Sequence, residues 1–268
     1  MTTSRSFDRA AGYYDQTRPL PASIAHDGIQ AILDLSHPDG RFLEVGAGTG
    51  RISVPLLERG VDLIGCDLSS KMLRRLHGKY PAARLTQVDA LFLPFSGASF
   101  ETLMTVHVLH LIPAWQEALR EFRRVLTREG VYLNVKTWTP VGVSLRERVR
   151  LHWRAWLKEH GREIRHPGLQ DQEEFNQALQ AMDAQVREVE VVRYPLQFTL
   201  REELERFSTR TGSETWDIPD EIFEASMAEL HTWAESEFDN LDQPRQDELR
   251  FAIDVVRFGS NRTGNSQP

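Results

Sequence analysis

The 268 residues include 32 Lys and Arg against 39 Asp and Glu, a formal charge of −7 that supplies no global basic field for nucleic acid. Hydrophobic residues make up 40% and charged residues 26%, ordinary for a globular chain long enough to bury a full core unaided. The single cysteine, Cys66, rules out an internal disulfide; no apolar run reaches the roughly 18 residues of a membrane-spanning helix, and the opening MTTSRSFDRAAGYYD lacks a signal-peptide core, so a cytoplasmic protein without a membrane partner is expected.

In chain order, residues 41–46 (RFLEVG) are a short apolar run entering a glycine-rich loop and read as a buried strand. A helix follows, with Ile52, Leu56 and Leu57 at helical spacing and Gly60 as its stop. Residues 61–66 predict a second strand ending at Asp67, after which Ser69 or Ser70 caps a helix carrying Met72, Leu73 and Leu76. Residues 84–88 predict a third strand ending at Asp89, and residues 100–106 a fourth ending near His107. The clearest helix is 114–128, where Trp115, Ala118, Leu119, Phe122, Val125 and Leu126 share one face; Gly130 ends it before a fifth strand over 131–136. Strands alternating with helices imply an α/β fold with a parallel sheet.

After Trp138 the rhythm changes. Helices are expected at 143–160, 171–185, 199–211 and 219–238, with a late strand at 186–198 and a last one at 248–258. The division expected is one domain over 1–258. It comprises N-terminal lid helices (1–36), a core (41–137), cap helices (138–247, enclosing the late strand) and the last strand, with a disordered tail at 259–268.

Glu44-Val45-Gly46-Ala47-Gly48-Thr49-Gly50 lies at a strand-to-helix junction, where open α/β sheets bind ligands. Asp67 ends the next strand, placed to accept hydrogen bonds from ribose hydroxyls. A nicotinamide dinucleotide fits these features equally well, but its G-x-G-x-x-G fingerprint requires glycine at position 51, which is Arg51. The loop is E-x-G-x-G-x-G, and an acid at the strand end suits a cationic amino group and a sulfonium better than a pyrophosphate.

At this point the sequence resembles class I S-adenosylmethionine-dependent methyltransferases over about residues 41–136. LEVGAGTGR, LIGCDLSSKML, QVDALFLPF and VHVLHLIPAWQEALREFRRVLTREGVYL match four family segments in order; Arg128-Glu129-Gly130 departs from the proline-glycine pair common among relatives. The resemblance implies a seven-stranded, mostly parallel, doubly wound sheet (Rossmann-like) with a helical cap. It implies S-adenosyl-L-methionine as cofactor, with Glu44 holding the methionyl amino group through water and the backbone of Gly46, Ala47, Gly48 and Gly50 along the methionyl and ribose parts. Asp67 and Leu68 then stand at the ribose, Met72 beside the adenine ring, and Asp89 and Ala90 at the adenine edge. Tyr14 (or Tyr13) would close the pocket and Arg18 would pair with the methionyl carboxylate. For Met72, core packing is the alternative; for Tyr14 and Arg18, an exposed N-terminal helix.

His107 and His110 follow the fourth strand and stand as candidate base or acceptor-binding groups, or as loop and core residues; with no third ligand nearby they do not make a metal site. Cys66 reads as an inert core residue. In 144–166 the basic residues read either as a surface for an acidic substrate or RNA or as the solvated face of a helix whose apolar stripe is Leu145, Val149, Trp153, Trp156 and Leu157, the second being the expectation. Trp138, Trp153, Trp156, Trp216 and Trp233 read as core residues, some of them candidates to line an acceptor pocket. The expected activity is methyl transfer to a small aromatic or apolar molecule, with nucleic acid not expected as partner. The alternatives are a tRNA-modifying methyltransferase, favoured by the basic cap helix, and a non-catalytic S-adenosylmethionine-binding regulatory module.

Overall fold

A computed structural model describes residues 6–18, 20–142 and 144–259, without the side chains of Trp138 and Thr139. The chain runs α1 (Tyr14–Thr17), α2 (Ala22–Leu35), β1 (Phe42–Val45), α3 (Ser53–Leu57), β2 (Leu63–Asp67), α4 (Ser70–Lys79), β3 (Arg84–Gln87), β4 (Phe100–Val106), α5 (Trp115–Val125) and β5 (Leu126–Pro140). It continues through α6 (Leu145–Glu159), α7 (Gln172–Ala181), β6 (Ala184–Phe198), α8 (Leu200–Ser208), α9 (Asp220–Glu237) and β7 (Arg245–Phe258).

The strands form one seven-stranded sheet in the order β3-β2-β1-β4-β5-β7-β6. β1 to β5 run parallel to one another, while β7 runs antiparallel to both β5 and β6. The order reverses between β1 and β4, and the ligand crevice of an open α/β sheet lies at such a reversal, outside the carboxyl ends of the strands.

The sheet is covered on both faces, which is why β1 is apolar throughout apart from Glu44. One apolar layer gathers Leu103, Phe122, Tyr132 and Phe175; the other gathers Ile29, Phe42, Leu133 and Phe251. A third cluster, with Val149, Trp153, Leu204 and Leu230, joins α6, α8 and α9 into a separate helical layer. Trp153 is fully buried there and donates through Nε1 to the hydroxyl of Ser226.

Several boundaries differ from the expectation. The helix expected over 114–128 ends at Val125, because Leu126 turns extended and pairs with Phe100. The register then shifts before Thr102 meets Val131, so the residues through Gly130 form an irregular start to β5. The last two strands begin earlier than expected, at Ala184 and Arg245, and pair along nearly their whole length.

Two elements expected to cover the site belong to the sheet layers instead. Ile24, Ile29 and Ile32 of α2 bury against the strands, and the Phe251 ring occupies the space a side chain at Gly28 would need. Phe175 and Leu179 of α7 likewise join the main core. The N-terminal cover therefore reduces to residues 6–18, and the helical layer to α6, α8 and α9. Of the tail expected at 259–268, only Gly259 lies within the described residues, and its N–H donates to the Asp183 carbonyl at 2.8 Å. No helix of the described residues is long and apolar enough to cross a membrane.

Candidate functional site

A cavity of about 250 Å³ lies at the carboxyl ends of β1, β2 and β4. The glycine loop forms its floor. The N–H groups of Gly46 and Ala47 both donate to the Cys66 carbonyl, at 2.7 and 2.9 Å, which folds the loop back over β2. Gly46 and Gly48 have φ of +80° and +57°, a region that favours glycine. A side chain at Gly46 would strike Val108, whereas one at Gly48 would meet only the Gly46 carbonyl at 3.9 Å, so Gly48 leaves bare backbone open to a ligand.

Asp67 is organised from both sides. Its carboxylate accepts from the Gly48 N–H at 2.9 Å and the Ser69 N–H at 2.7 Å. Burial raises its pKa, and the two backbone bonds oppose the rise. The outer lone pairs face a cavity also lined by Leu68, Met72, Asp89 and Ala90. Met72 is at once a wall of the cavity and packed against Ala10 and Ala11, so its two sequence readings coexist.

Three of the expected loop residues do not line the cavity. Glu44 is buried behind the loop, where it accepts from the Ser53 hydroxyl. Burial lifts its carboxyl to about 8, against the opposing effects of the Ser53 hydrogen bond and the Arg51 charge. From there it supports the loop from beneath. Ala47 and Gly50 also lie off the cavity wall; a side chain at Gly50 would meet Leu76 and Val54, so that glycine serves the packing of α4 and α3.

The N-terminal segment closes the cavity from above. Asp8 accepts from the Ser69 hydroxyl, which holds the Asp8 pKa below its ordinary value. Asp15 accepts from Thr49 Oγ1 at 2.6 Å and pairs with Lys79 Nζ at 2.8 Å. These ties bring Phe7, Tyr14 and Arg18 onto the cavity wall. The Arg18 guanidinium stands 4.4 Å from the Tyr14 ring centre, and Phe7 packs on Trp216 with ring centroids 4.9 Å apart. Asp8, Asp15 and Thr49 were not legible as contacts, because nothing local in the sequence says which exposed acid the folded segment will reach.

His107 has a φ of +54°, uncommon for a residue other than glycine. Its Nε2 lies 2.8 Å from Thr137 Oγ1 and accepts from the Thr137 N–H at 3.1 Å. Since a backbone N–H only donates, Nε2 is unprotonated and neutral His107 carries its proton on Nδ1. Burial, first, and the nearby Arg51 and His110 charges hold its pKa well below the ordinary value. His110, in a single 3-10 turn (Leu109–Leu111), packs edge-on against His166 with centroids 4.8 Å apart. Burial and the His166 and Arg18 charges push its pKa down to about 3, so it is neutral at physiological pH. Cys66 is buried, which pushes its thiol up to about 12 and leaves it unreactive.

Arg18, His107, His110 and Ser213 also line a second cavity, of about 800 Å³, between the sheet and the helical layer. Its apolar wall includes Leu20, Tyr194, Leu196, Phe198 and Leu249. Its opposite wall differs from the sequence expectation. Arg146, Arg150 and Arg154 of α6 face the cavity and pair with acids, where the sequence had placed the basic residues on a solvated face. No described tryptophan side chain lines either cavity: Trp153 is internal, Trp156 stacks on His160, Trp233 stacks on His152, and Trp216 packs behind Phe7.

A family model described as a methyltransferase domain matches residues 43–134, the stretch from β1 to β5 that builds the first cavity. The demethylmenaquinone methyltransferase of Streptomyces griseus is 30% identical over 142 residues, covering 50% of this chain and 61% of that protein. The chain spans less than two thirds of the length of the curated relatives it matches. Among solved structures, the YcgJ protein of Bacillus subtilis superposes with a TM-score of 0.58 at 19% identity, covering 88% of this chain and 99% of that one. Phosphoethanolamine N-methyltransferase 2 of Haemonchus contortus, solved with S-adenosylhomocysteine, superposes with a TM-score of 0.51 at 16% identity, covering 95% of this chain and 58% of that one. The motif segments of β1 to β5 thus stand around one cavity in the stretch that matches the methyltransferase-domain model, and the chain shares the fold of its structural neighbours.

Proposed function

We propose that this chain transfers the methyl group of S-adenosylmethionine to a small molecule held in the second cavity. The observation that carries this reading is the shared wall of Arg18, His107, His110 and Ser213, through which a cofactor-sized cavity at the glycine loop adjoins a larger one. A cofactor-only binding module has no need of the larger space.

The residues present fit the cofactor. The Asp67 carboxylate offers its free lone pairs to ribose hydroxyls, and Gly48 offers close backbone approach. Met72, Asp89 and Ala90 supply an apolar and polar edge suited to adenine, and Arg18 is a cation suited to the methionyl carboxylate. S-adenosylmethionine, when bound, supplies an electrophilic methyl group on a cationic sulfur that is already a good leaving group. The chain's task is then alignment and exclusion of water. Phe7 and Tyr14 exclude water from above. His110, neutral and facing both cavities, orients the acceptor by hydrogen bonding, and His107 fixes the end of β4.

The apolar wall supports an acceptor with an aromatic or aliphatic body. The inward turn of Arg146, Arg150 and Arg154 takes three of the basic residues of 144–166 off the outer face that favoured tRNA, leaving Arg148, Lys158, Arg162 and Arg165 exposed there. Incubating the protein with methyl-labelled S-adenosylmethionine and a metabolite extract tests the reading. Label is expected in a low-molecular-mass product; label in added tRNA alone, or cofactor binding with no transfer to any fraction, would contradict it.

A further inference from the structure

The wall of the second cavity opposite its apolar side carries an organised set of charges. Arg146, Arg150 and Arg154 follow one another at every fourth residue of α6, so they rise along one face of the helix over about 12 Å. Arg206 of α8 faces the first of them across Glu203.

The charges are not evenly balanced along this ladder. Arg150 and Arg154 share Glu214, at 3.3 and 2.7 Å, and Arg150 also reaches Glu147 at 3.1 Å. Two guanidinium groups therefore meet two carboxylates at that end. His166, one of the groups whose charge acts on Glu214, also packs on His110, which puts this balanced end toward the cofactor cavity. At the other end a single carboxylate, Glu203, only 3% exposed, lies between Arg146 and Arg206. That is one more guanidinium than directly paired carboxylate. Glu202, which also lines the cavity, is solvent-exposed and forms no ion pair with either arginine; one of its carboxylate oxygens accepts from the Thr199 N–H in the α8 capping box.

The unused donors point the same way. Arg146 bonds Glu203 through Nε alone, and Arg206 through Nε and one terminal nitrogen. Among the described residues their remaining terminal nitrogens make no hydrogen bond, nor are they shut off from solvent-accessible space, since neither residue has a buried unpartnered atom. The α6 N-terminus does not compete for a ligand, because the Asp247 carboxylate already accepts from Ser144 Oγ and the Leu145 and Arg146 N–H groups. The arginine side chains themselves are the open donors.

We infer that Arg146 and Arg206 bind an anionic group, a carboxylate or a phosphate, on the methyl acceptor, at the end of the second cavity remote from His110. The acceptor is then an extended amphipathic anion. Its body lies on Tyr194, Leu196 and Phe198, its nucleophile stands beside His110, and its charge lies at the Arg146 end of α6, about 12 Å along the helix from Arg154. Guanidinium groups suit both anions, because their planar fork matches two oxygens at once.

This inference rests on the methyl-transfer reading. It is tested on the full chain loaded with S-adenosylhomocysteine, by calorimetric titration with three probes sharing one body: phenylpropionate, phenylethyl phosphate and neutral phenylpropionamide. At least one anion is expected to bind about tenfold or more tightly than the amide, and which anion does so distinguishes carboxylate from phosphate. Arg146→Gln leaves Glu203 paired with Arg206. It should erase that preference while leaving S-adenosylhomocysteine affinity and melting temperature near those of the native chain. Where Arg146→Gln fails to fold, Arg206→Lys, which keeps the charge and loses the fork, should weaken the anion severalfold. Equal binding of anions and amide, or an anion preference untouched by Arg146→Gln, overturns the inference. So does S-adenosylhomocysteine binding with no affinity for either anion, an outcome that leaves the methyl-transfer reading standing. Failure to bind S-adenosylhomocysteine at all contradicts the underlying reading.

Discussion

The backbone N–H of Thr137 donates to Nε2 of His107 over 3.1 Å, tying the end of β5 to the end of β4 at the junction of the two cavities. The bond fixes the imidazole tautomer and takes Nε2 out of service as a proton acceptor. His107→Ala leaves a buried N–H unsatisfied and should cost about 1–3 kcal/mol of stability in a denaturant melt, with cofactor affinity changed less than tenfold. A large loss of turnover with unchanged stability would instead make His107 a direct participant.

His110 should act as a neutral hydrogen-bonding group. Its folded pKa of about 3 lies below the ordinary 6.5, so between those values the folded state binds fewer protons than the unfolded chain. Its contribution to stability is therefore complete above about pH 6.5 and is lost as pH falls toward 3. His110→Ala should flatten that part of the acid-unfolding profile and lower kcat/KM about ten- to hundredfold, mostly through KM. A kcat limb near pH 6.5 that vanishes in the variant would show a base in its place.

Asp67 should be the main polar anchor of the cofactor. Asp67→Ala is expected to cost about 2–4 kcal/mol of S-adenosylhomocysteine affinity, measured calorimetrically, and Asp67→Asn less, since the amide oxygen still accepts a hydrogen bond. Unchanged affinity in Asp67→Ala would confine the carboxylate to holding the Gly48 and Ser69 N–H groups.

Residues 6–18 should behave as a cover separable from the sheet. Deleting residues 1–18 is expected to weaken cofactor binding at least tenfold while far-ultraviolet circular dichroism keeps its native shape. Asp15→Asn, which loosens the ties to Thr49 and Lys79, should produce a smaller loss in the same direction. Collapse of the dichroism signal on deletion would place the segment in the core.

The first cavity was legible in the sequence because its signals are local. Glycines at 46, 48 and 50, an acid at the end of the next strand and apolar runs of strand length each depend on a few neighbouring residues. The second cavity was not. Helical periodicity placed Val149 and Trp153 on the buried face of α6 but could not say whether Arg146, Arg150 and Arg154 would meet water or an enclosed space. That depends on where α8 and β6 lie, and those positions follow from the long antiparallel pairing of β6 with β7. Similarly, the apolar face of α2 was visible as a pattern, but only tertiary packing shows that it lies on the strands with Gly28 under Phe251.

The most direct test of what the glycine loop and Asp67 hold is calorimetric titration of the purified chain with S-adenosylmethionine, S-adenosylhomocysteine and NAD. Saturable one-to-one binding of the first two is expected, lost or strongly weakened in Asp67→Ala, with no heat from NAD. Saturable NAD binding without S-adenosylmethionine binding would contradict the assignment of this site.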